Sequence, residues 1–378
     1  MKQNLIPIHI VLFFTRNISL LTWNQNGSLD REVALYLRLQ EKGVKISFLT
    51  YGESQEMTFQ KKLPGIEILY NQYGLPKRLY EILIPFLHFR SLSMSSLFKT
   101  NQIYGADVGL KAAKLYKKPL LIRFGYLLSK NIAHRYGNQS VQTHKAHLLE
   151  MSILPESNFI AVTTQQIKNE IIKSYSLSEN TIHVIPNYVE VDIFKPNNSL
   201  KRKKYHVCFI GRLSYEKNLF SLLTAIIGTD LKIVIIGSGP EKDSLNQFAQ
   251  AEKLNVDFFD NMPNHDLPRI INSSQVFILP SLIEGNPKAL LEAMSCGLAV
   301  IGTNILGIRE IIQHGENGWL CETDAQSIRT GIQHLLANPT LREKLGNNAR
   351  SYIVENFSLT KVVEMEYSLL QKVVETAK

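Results

Sequence analysis

The sequence predicts an α/β protein built from two doubly wound Rossmann-like domains. Apolar stretches rich in β-branched residues alternate with stretches of helical periodicity, as in 8–14, 29–42 and 44–50. This alternation is typical of parallel strands joined by helices. The chain of 378 residues also exceeds the size at which one hydrophobic core stops growing. We therefore expect two cores, in domains of about 180 residues each.

The same patterning predicts the remaining elements and the domain boundaries. Further strands are predicted in the first domain at 120–124, 159–163 and 182–185. The polar segment 195–205 contains Pro, Asn and Lys residues and is interpreted as a linker. Strands of the second domain are predicted at 207–210, 232–236, 256–259, 276–279 and 299–302. The expected domains are 1–195 and 205–355, followed by a C-terminal helix at 356–378 that packs back on the first domain.

Composition excludes several classes of protein. Hydrophobic residues make up 44% and charged residues 20%, which is ordinary for a globular protein, and no apolar stretch is long enough to span a bilayer. The three cysteines, Cys208, Cys296 and Cys321, are odd in number, widely spaced and set among apolar residues. They are interpreted as reduced core thiols and not as a disulfide framework or zinc site, which favours a cytoplasmic location.

The segment 284–297 carries the strongest functional signal. Asn286 is expected to cap a helix, Pro287 suits its first position, and Gly297 suits the left-handed residue after its end. The predicted helix spans 287–296. Its free N–H groups and partial positive charge favour an anionic ligand such as phosphate.

Two carboxylates, Glu284 and Glu292, flank the start of this helix. Carboxylates bind sugar hydroxyls, so both side chains are candidate ligand contacts. The alternative is structural: Glu284 merely lies near the positive helix end, and Glu292 lies on a solvated face. Geometry alone leaves both interpretations open.

Several ordered motifs between about 160 and 325 resemble the family four retaining glycosyltransferases. The two glutamates with seven residues between them follow Pro280-Ser281, and Gly307, Glu310, Gly315 and Gly318 come later. Upstream, Gly211-Arg212-Leu213 with Lys217-Asn218 is similar to that family's diphosphate-binding turn, and 236–240 to its next strand and loop.

The resemblance implies a GT-B fold, in which two Rossmann-like domains face a central cleft, and a nucleotide-diphosphate sugar as donor substrate. It implies that Glu292 binds the ribose, that Glu284 binds the donor sugar, and that Arg212 and Lys217 hold the diphosphate. The implied catalytic residues are Glu284, Arg212 and Lys217. The candidate donor-binding residues are Gly211, Arg212, Lys217, Gly237, Glu284, Gly285, Asn286, Pro287, Lys288, Glu292 and Gly27.

The positions of Arg212 and Lys217 in the sequence also indicate a role for them. Arg212 follows a predicted strand, where side chains at the carboxyl edge of a sheet face the ligand crevice, and Lys217 comes five residues later. The alternative is that both are surface cations of a solvated turn. Retention in the family is explained by acceptor attack on the face from which the diphosphate departs, with a phosphate oxygen taking the proton.

No cofactor and no metal are expected. The chain contains no Asp-X-Asp pair to present carboxylates to a divalent ion, and no His/Cys/Asp cluster has metal-ligand spacing. Fixed cations must then meet the charge of the leaving diphosphate. The segment from Gly237 to Lys242 begins like a dinucleotide fingerprint but lacks its third glycine, which disfavours a dehydrogenase.

The first domain departs from the family pattern. Gly27 stands where relatives have a double-glycine loop, and its role is either close backbone approach to the ligand or a plain turn capped by Ser28. Arg123 stands where many relatives have a histidine, so Arg123 is the acceptor-side candidate. The nearby His134, His144 and His147 are interpreted as surface or core histidines.

Charge is concentrated in the first domain. Residues 71–150 contain twelve Lys or Arg and three Asp or Glu, a surplus of nine that equals the net charge of the whole chain, +9. The stretch 75–98 combines cations with apolar residues, which is typical of a membrane-surface segment. The alternative is a buried helix beside a solvated basic face. Nucleic acid is disfavoured, because no basic motif is interleaved with aromatic residues.

These observations together favour a retaining, metal-independent glycosyltransferase. The acceptor is expected to be a growing, lipid-linked glycan of a surface polysaccharide, reached at the cytoplasmic face of the plasma membrane. One alternative is an epimerase or hydrolase of nucleotide sugars, since paired carboxylates can hydrolyse glycosides. Another is a non-catalytic subunit that binds a nucleotide or glycan.

Overall fold

The computed structural model describes residues 7–197 and 203–376, so the predicted linker at 195–205 lies partly outside the described residues. Contacts divide the described chain into two units. The N-terminal unit runs from the start of the described chain to Gln25, then over Arg31–Pro186, and continues from Val363. The C-terminal unit comprises Asn26–Asp30 and the described part of Asn187–Val362. The domain boundaries expected from the sequence stay predictions beside this division.

The N-terminal unit is built on a seven-stranded parallel sheet in the order β3-β2-β1-β4-β5-β6-β7. Its strands are β1 (His9–Phe13), β2 (Lys45–Leu49), β3 (Glu67–Leu69), β4 (Leu97–Thr100), β5 (Leu120–Phe124), β6 (Phe159–Val162) and β7 (Ile182–Val184). The helices between them are α1 (Leu20–Gln25), α2 (Leu29–Glu41), α3 (Lys77–Leu87), α4 (Phe89–Met94), α5 (Ala106–Tyr116), α6 (Leu128–Tyr136), α7 (Val141–Ile153) and α8 (Gln165–Tyr175).

The C-terminal unit repeats this architecture with six parallel strands in the order β10-β9-β8-β11-β12-β13. Its strands are β8 (Tyr205–Ile210), β9 (Ile233–Ile236), β10 (Val256–Phe259), β11 (Ser274–Leu279), β12 (Ala299–Thr303) and β13 (Trp319–Cys321). Its helices are α9 (Leu219–Ala225), α10 (Lys242–Ala251), α11 (Leu267–Asn272), α12 (Lys288–Ser295), α13 (Leu306–Arg309), α14 (Ala325–Ala337) and α15 (Pro339–Phe357), and α16 (Leu359–Thr376) continues into the N-terminal unit.

Each sheet reverses its strand order once. The reversal lies between β1 and β4 in the N-terminal unit, and between β8 and β11 in the C-terminal unit. Loops leave such a switch point in opposite directions, and this opens a crevice at the carboxyl ends of the strands where ligands bind. The prediction of two doubly wound Rossmann-like sheets is confirmed.

Most predicted strands begin and end within two residues of the observed ones, but β3, β4 and β13 were not predicted. β3 and β13 are only three residues long. β4 lies at the end of a stretch interpreted as amphipathic, and it carries Lys99, whose side chain is fully buried. A charged residue inside a short strand breaks the apolar pattern on which the prediction depends.

The three cysteines are buried and free, in agreement with the prediction of core thiols. Burial raises the pKa of both Cys208 and Cys321 to about 12, and also raises the pKa of Cys296. Thiols with such pKa values are poor nucleophiles at neutral pH. Their role is therefore packing.

A buried ion pair ties α16 to the sheet of the N-terminal unit. Lys99 on β4 donates to Glu366 on α16, and both side chains are fully buried. The Lys99 ammonium also lies 5.2 Å from the ring centroid of Tyr36 on α2. Burial lowers the pKa of Lys99, and Arg123 on β5 lowers it further, while Glu366 opposes the shift. Glu366 is therefore the counter-charge of Lys99 in the core.

We predict that Glu366→Gln is strongly destabilising, because it leaves the Lys99 ammonium buried without its counter-charge. The expected loss is about 3–5 kcal/mol, measured as the shift in urea unfolding followed by circular dichroism. The matched control is Glu364→Gln on the same helix, which breaks the exposed Lys42–Glu364 pair (2.7 Å). That control is expected to cost about 0–1 kcal/mol. Equal shifts in the two variants would contradict the prediction.

Candidate functional site

The candidate site lies at the switch point of the C-terminal unit. Gly211 and Arg212 directly follow β8, and the segment containing Ser281 and Glu284 follows β11. Because β8 and β11 are adjacent parallel strands, these two segments leave the sheet at the same edge. The motifs identified separately in the sequence therefore converge on one crevice.

Two glycines shape the turn that carries Arg212. The backbone N–H of Leu213 donates to the carbonyl of Ser238 at 3.0 Å. Gly237 has a φ of +145°, and a Cβ there would lie 1.9 Å from the carbonyl oxygen of Gly211. A Cβ on Gly239 would lie 2.2 Å from the carbonyl oxygen of Leu213. The two backbones can approach this closely only without side chains, and the turn leaves Arg212 exposed to solvent.

Lys217 and Glu284 form a direct ion pair. Lys217 ends a short 3-10 helix at Tyr215–Lys217, and its Nζ lies 2.5 Å from Oε1 of Glu284. The hydroxyl of Ser281 donates to the same carboxylate oxygen at 2.7 Å. The two charged side chains are 18% and 9% exposed, so the pair is reachable from solvent but weakly screened by it.

The amide of Asn218 fixes this arrangement. Asn218 has a φ of +55°, and its Nδ2 donates to the carbonyls of Pro280 (3.1 Å) and Thr323 (2.8 Å). The backbone N–H of Leu282 also donates to the carbonyl of Glu216 at 2.8 Å. The turn after β8 is thereby attached to the end of β11, which holds Lys217 beside Glu284.

The electrostatic effect of the two cations is seen at Glu216. Burial alone would raise the pKa of this carboxyl, but a hydrogen bond from the hydroxyl of Ser214 (2.7 Å) and the charges of Lys217 and Arg212 contribute to lowering it. The two cations of the turn therefore act on a neighbouring carboxyl, as they would on the negative charge of a diphosphate.

Glu292 is buried, which contradicts the alternative that it lies on a solvated face. It is 1% exposed on α12, and its Oε1 accepts a hydrogen bond from Nδ2 of Asn264 at 2.9 Å. The backbone N–H of Asn264 donates to the carbonyl of Gly27 at 3.1 Å. Gly27 has a φ of +68°, and a Cβ there would lie 2.3 Å from the carbonyl oxygen of Met262. The observed close backbone approach of Gly27 is therefore to the segment that positions Glu292.

The predicted cap of the helix after Glu284 is wrong. The helix begins at Lys288 with Pro287 as its N-cap, and Asn286 makes no capping hydrogen bond there. Instead, Oδ1 of Asn286 accepts from the backbone N–H of Asn187 at 2.9 Å, and the side chain of Asn187 donates to the carbonyl of Asn286 at 2.6 Å. Asn286 thus holds the chain entering the C-terminal unit, a partner 99 residues away that no local pattern could indicate. Gly297 ends the helix with a φ of +69°, as predicted.

Gly285 lies between Glu284 and α12, and Lys288 begins that helix. A Cβ on Gly307 would lie 2.2 Å from the carbonyl oxygen of Glu284 and 2.4 Å from that of Gly285. Gly307 therefore packs directly against the backbone of the loop that carries Glu284. Lys288, the first residue of α12, is partly buried. All of the candidate donor-binding residues belong to the C-terminal unit, including Gly27 in the segment Asn26–Asp30.

Arg123, the acceptor-side candidate, belongs to the N-terminal unit. It lies inside β5, in register with Ala161 on β6, and it acts electrostatically on the buried Lys99. Its role in acceptor binding stays a prediction. Sequence reasoning did not single out the positioning groups Asn218, Asn264, Ser281 and Gly307. Asn218, Ser281 and Gly307 were noted only as members of motifs, and Asn264 belongs to none of those motifs.

Residues 190–352 match the sequence profile of the family described as glycosyl transferases group 1. The matched segment is somewhat less than half of the chain. The match contains Arg212, Lys217, Glu284 and Glu292, so the resemblance to glycosyltransferases inferred from the motifs is confirmed at the level of group 1.

Curated relatives agree with this assignment. The chain is 26% identical over 255 residues to an uncharacterised glycosyltransferase of Methanocaldococcus jannaschii, covering 62% of this chain and 65% of that protein. It is 22% identical over 254 residues to the alpha-maltose-1-phosphate synthase of Mycolicibacterium smegmatis, covering 60% and 66%. The capsular polysaccharide biosynthesis glycosyltransferase CapM of Staphylococcus aureus is 27% identical, with 56% and 61% covered. The chain thus spans somewhat less than two thirds of the length of each relative.

Solved structures show the same fold over nearly the whole chain. Sucrose-phosphate synthase from Thermosynechococcus elongatus superposes with a TM-score of 0.82 at 18% identity, covering 98% of this chain and 100% of that one. Anabaena HepE in complex with UDP superposes with a TM-score of 0.76 at 17% identity, covering 97% and 100%. The fold is of the GT-B glycosyltransferase type.

We predict that Gly237→Ala destabilises the C-terminal unit more than Gly315→Ala does. Both glycines have positive φ, which costs another residue about 1–2 kcal/mol, but a Cβ at Gly315 meets nothing within 4 Å. At Gly237 the added Cβ also forces the Gly211 backbone away. The thermal unfolding midpoint should fall at least twice as far for Gly237→Ala. Equal midpoints would show that the close approach contributes nothing.

Proposed function

We propose that this protein is a retaining glycosyltransferase. It transfers a sugar from a nucleotide-diphosphate donor, a UDP- or GDP-sugar, to a growing lipid-linked glycan in the biosynthesis of a surface polysaccharide. The observation that carries the proposal is the Lys217–Glu284 pair at the switch point of a group 1 glycosyltransferase region. It is supported by the name of CapM and by the nucleotide bound to HepE.

The donor is held by groups with complementary chemistry. Arg212 and Lys217 meet the negative charge of the diphosphate, together with backbone N–H groups at the start of α12. Glu284 accepts hydrogen bonds from hydroxyls of the donor sugar, and Glu292 accepts them from the ribose. Lys217 is neutralised by Glu284, whose Oε1 lies 2.5 Å from its Nζ. Donor binding therefore exchanges one negative partner of Lys217 for a phosphate oxygen.

The reaction replaces one bond at the anomeric carbon with another on the same face. The bond from the sugar to the diphosphate oxygen breaks, the acceptor hydroxyl oxygen bonds to the carbon, and its proton passes to the departing diphosphate. Charge grows on the diphosphate as this bond breaks. Preorganised cations at this position stabilise the transition state, each by about 3–4 kcal/mol. We infer that Arg212 and Lys217 supply this stabilisation without a divalent metal.

The N-terminal unit is proposed to bind an anionic membrane surface, where it would reach a lipid-linked acceptor. An exposed apolar stripe runs along α3 and α4, where Ile82, Phe86 and Phe89 are 66%, 67% and 61% exposed. The cations Lys77 and Arg90 on the same two helices are also exposed. Apolar side chains flanked by cations match a leaflet of anionic lipids, where each cation contributes about 1 kcal/mol.

Within the described ranges, no helix combines the length and apolar character needed to cross a membrane.

We predict that Arg212→Ala reduces sugar transfer at least about a hundredfold while the unfolding midpoint is unchanged, because Arg212 is exposed and meets charge developing in the transition state. The matched control is Lys344→Ala, an exposed cation of α15 in the same unit, which should keep full activity. Turnover of UDP- and GDP-sugars is measured by release of the nucleoside diphosphate in excess EDTA.

Near-full activity of Arg212→Ala would remove its role at the diphosphate. Abolition of wild-type turnover by EDTA would contradict the metal-independent part of the proposal. Donor consumption at the full rate without any glycan acceptor would instead favour a hydrolase.

We predict salt-sensitive binding to vesicles that contain anionic lipid. Phe86→Asp should weaken binding about tenfold, because it removes an apolar contact worth about 1.5–3 kcal/mol and adds a repulsive charge. Val354→Asp on α15, 39% exposed in the C-terminal unit, is the control. Binding is measured by vesicle sedimentation at about 0.05 and about 0.5 M salt, where screening differs strongly. Equal binding to neutral and anionic vesicles would contradict the proposed membrane interaction.

A further inference from the structure

A polar cluster occupies the switch point of the N-terminal unit. Arg16 lies three residues beyond β1, and Tyr104 and Asp107 follow β4. β1 and β4 are adjacent and parallel, and the strand order reverses between them. This is the position at which an open α/β sheet forms a ligand crevice. The candidate donor site occupies the equivalent position in the other sheet.

Arg16 is held rigidly at the centre of this cluster. Its Nε donates to Oε1 of Glu81 at 2.8 Å, and its Nη2 donates to both carboxylate oxygens of Asp107 at 3.0 and 2.8 Å. Its guanidinium carbon lies 5.1 Å from the ring centroid of Tyr104. Its backbone N–H donates to the carbonyl of Tyr104 at 3.0 Å, and Gly105 allows this approach with a φ of +102°.

The cluster retains hydrogen-bonding groups that the protein does not use. Within residues 7–197 and 203–376, Nη1 of Arg16 donates to no protein group, and Oε2 of Glu81 accepts from none. The side chains of Arg16, Glu81 and Asp107 are 19%, 18% and 25% exposed, and Tyr104 is 41% exposed. Donors, an acceptor and an aromatic ring therefore face solvent together.

The chemistry of these groups selects a neutral sugar. One guanidinium between two carboxylates leaves a net charge of −1, which disfavours phosphate and other anions. A guanidinium N–H and a carboxylate oxygen can bind neighbouring sugar hydroxyls, and an exposed ring gives the apolar face of a pyranose a flat surface.

The electrostatic coupling extends to Tyr51 after β2, whose pKa is raised first by burial and then by Glu81. Three adjacent strands thus contribute to one cluster.

We propose that Arg16, Glu81 and Tyr104 form a binding site for a neutral sugar residue of the acceptor glycan. The inference rests on the proposed glycosyltransferase function, because it assigns the bound sugar to the acceptor. Tyr104 stacks on the sugar ring, and Arg16 and Glu81 orient its hydroxyls. The two ion pairs of Arg16 give the site its rigidity, which lowers the entropy lost on binding.

The test uses four probes: the methyl glycosides of glucose, galactose, mannose and N-acetylglucosamine. Binding to the full chain is measured by saturation-transfer NMR. At least one glycoside should bind the wild-type protein, and Tyr104→Ala should weaken its binding at least about fivefold through loss of ring contact. Tyr104→Phe keeps the ring and should keep binding. Leu115→Ala, an exposed apolar residue at the far end of α5, is the matched control.

The site would be overturned if none of the four glycosides gave a saturation-transfer signal, or if Tyr104→Ala and Leu115→Ala bound equally well. Loss of glycoside binding in Glu284→Gln but not in Tyr104→Ala would place the sugar in the C-terminal unit and also overturn it. Calorimetric titration with UDP and GDP separates this inference from the proposed function. Nucleotide binding with failed glycoside binding refutes the acceptor site alone, whereas the absence of nucleotide binding refutes the glycosyltransferase proposal.

Discussion

The Lys217–Glu284 ion pair is the interaction on which the organisation of the C-terminal unit depends. It joins the turn after β8 to the loop after β11 across the point where the strand order reverses. A switch point would otherwise be an open gap, because the loops on its two sides run in opposite directions. Ser281 and Asn218 reinforce the pair with hydrogen bonds to side chain and backbone. The outcome is a cation and a carboxylate held ready at the mouth of a crevice.

This ion pair requires backbones that approach each other more closely than side chains permit. Gly237 lies against the carbonyl of Gly211, and Gly307 lies against the carbonyls of Glu284 and Gly285. The first contact brings the turn that leads to Lys217 close to the loop after β9. The second contact fixes the path of the loop that carries Glu284. Glycine at these positions therefore determines where charged atoms lie, although glycine itself carries no chemistry. Gly27 has a similar relation to Glu292, acting through Asn264.

The two units use one topology for different electrostatic purposes. At the switch point of the C-terminal unit, the cations Arg212 and Lys217 lie in the turn after β8 and contribute to lowering the pKa of Glu216. At the switch point of the N-terminal unit, two carboxylates enclose Arg16 and more than neutralise it. Two cations at one crevice suit a diphosphate, and a guanidinium held between two carboxylates suits sugar hydroxyls. The fold thus supplies two equivalent crevices, and the side chains distinguish them.

The sequence by itself determined the elements that depend on local patterns. Period and β-branching located most strands of both sheets, and the glycine at 297 located a helix end. The spacing of Glu284 and Glu292 identified the family region. These features could be predicted because each depends on a pattern of residues close together in the sequence. The tertiary structure alone decided which distant groups meet. Asn286 binds Asn187 instead of capping its helix, Glu292 is buried against Asn264, and Lys99 enters the core because Glu366, 267 residues away, meets it there. Such contacts depend on strand order and register, which bring together residues that share no local pattern, so only the folded chain reveals them.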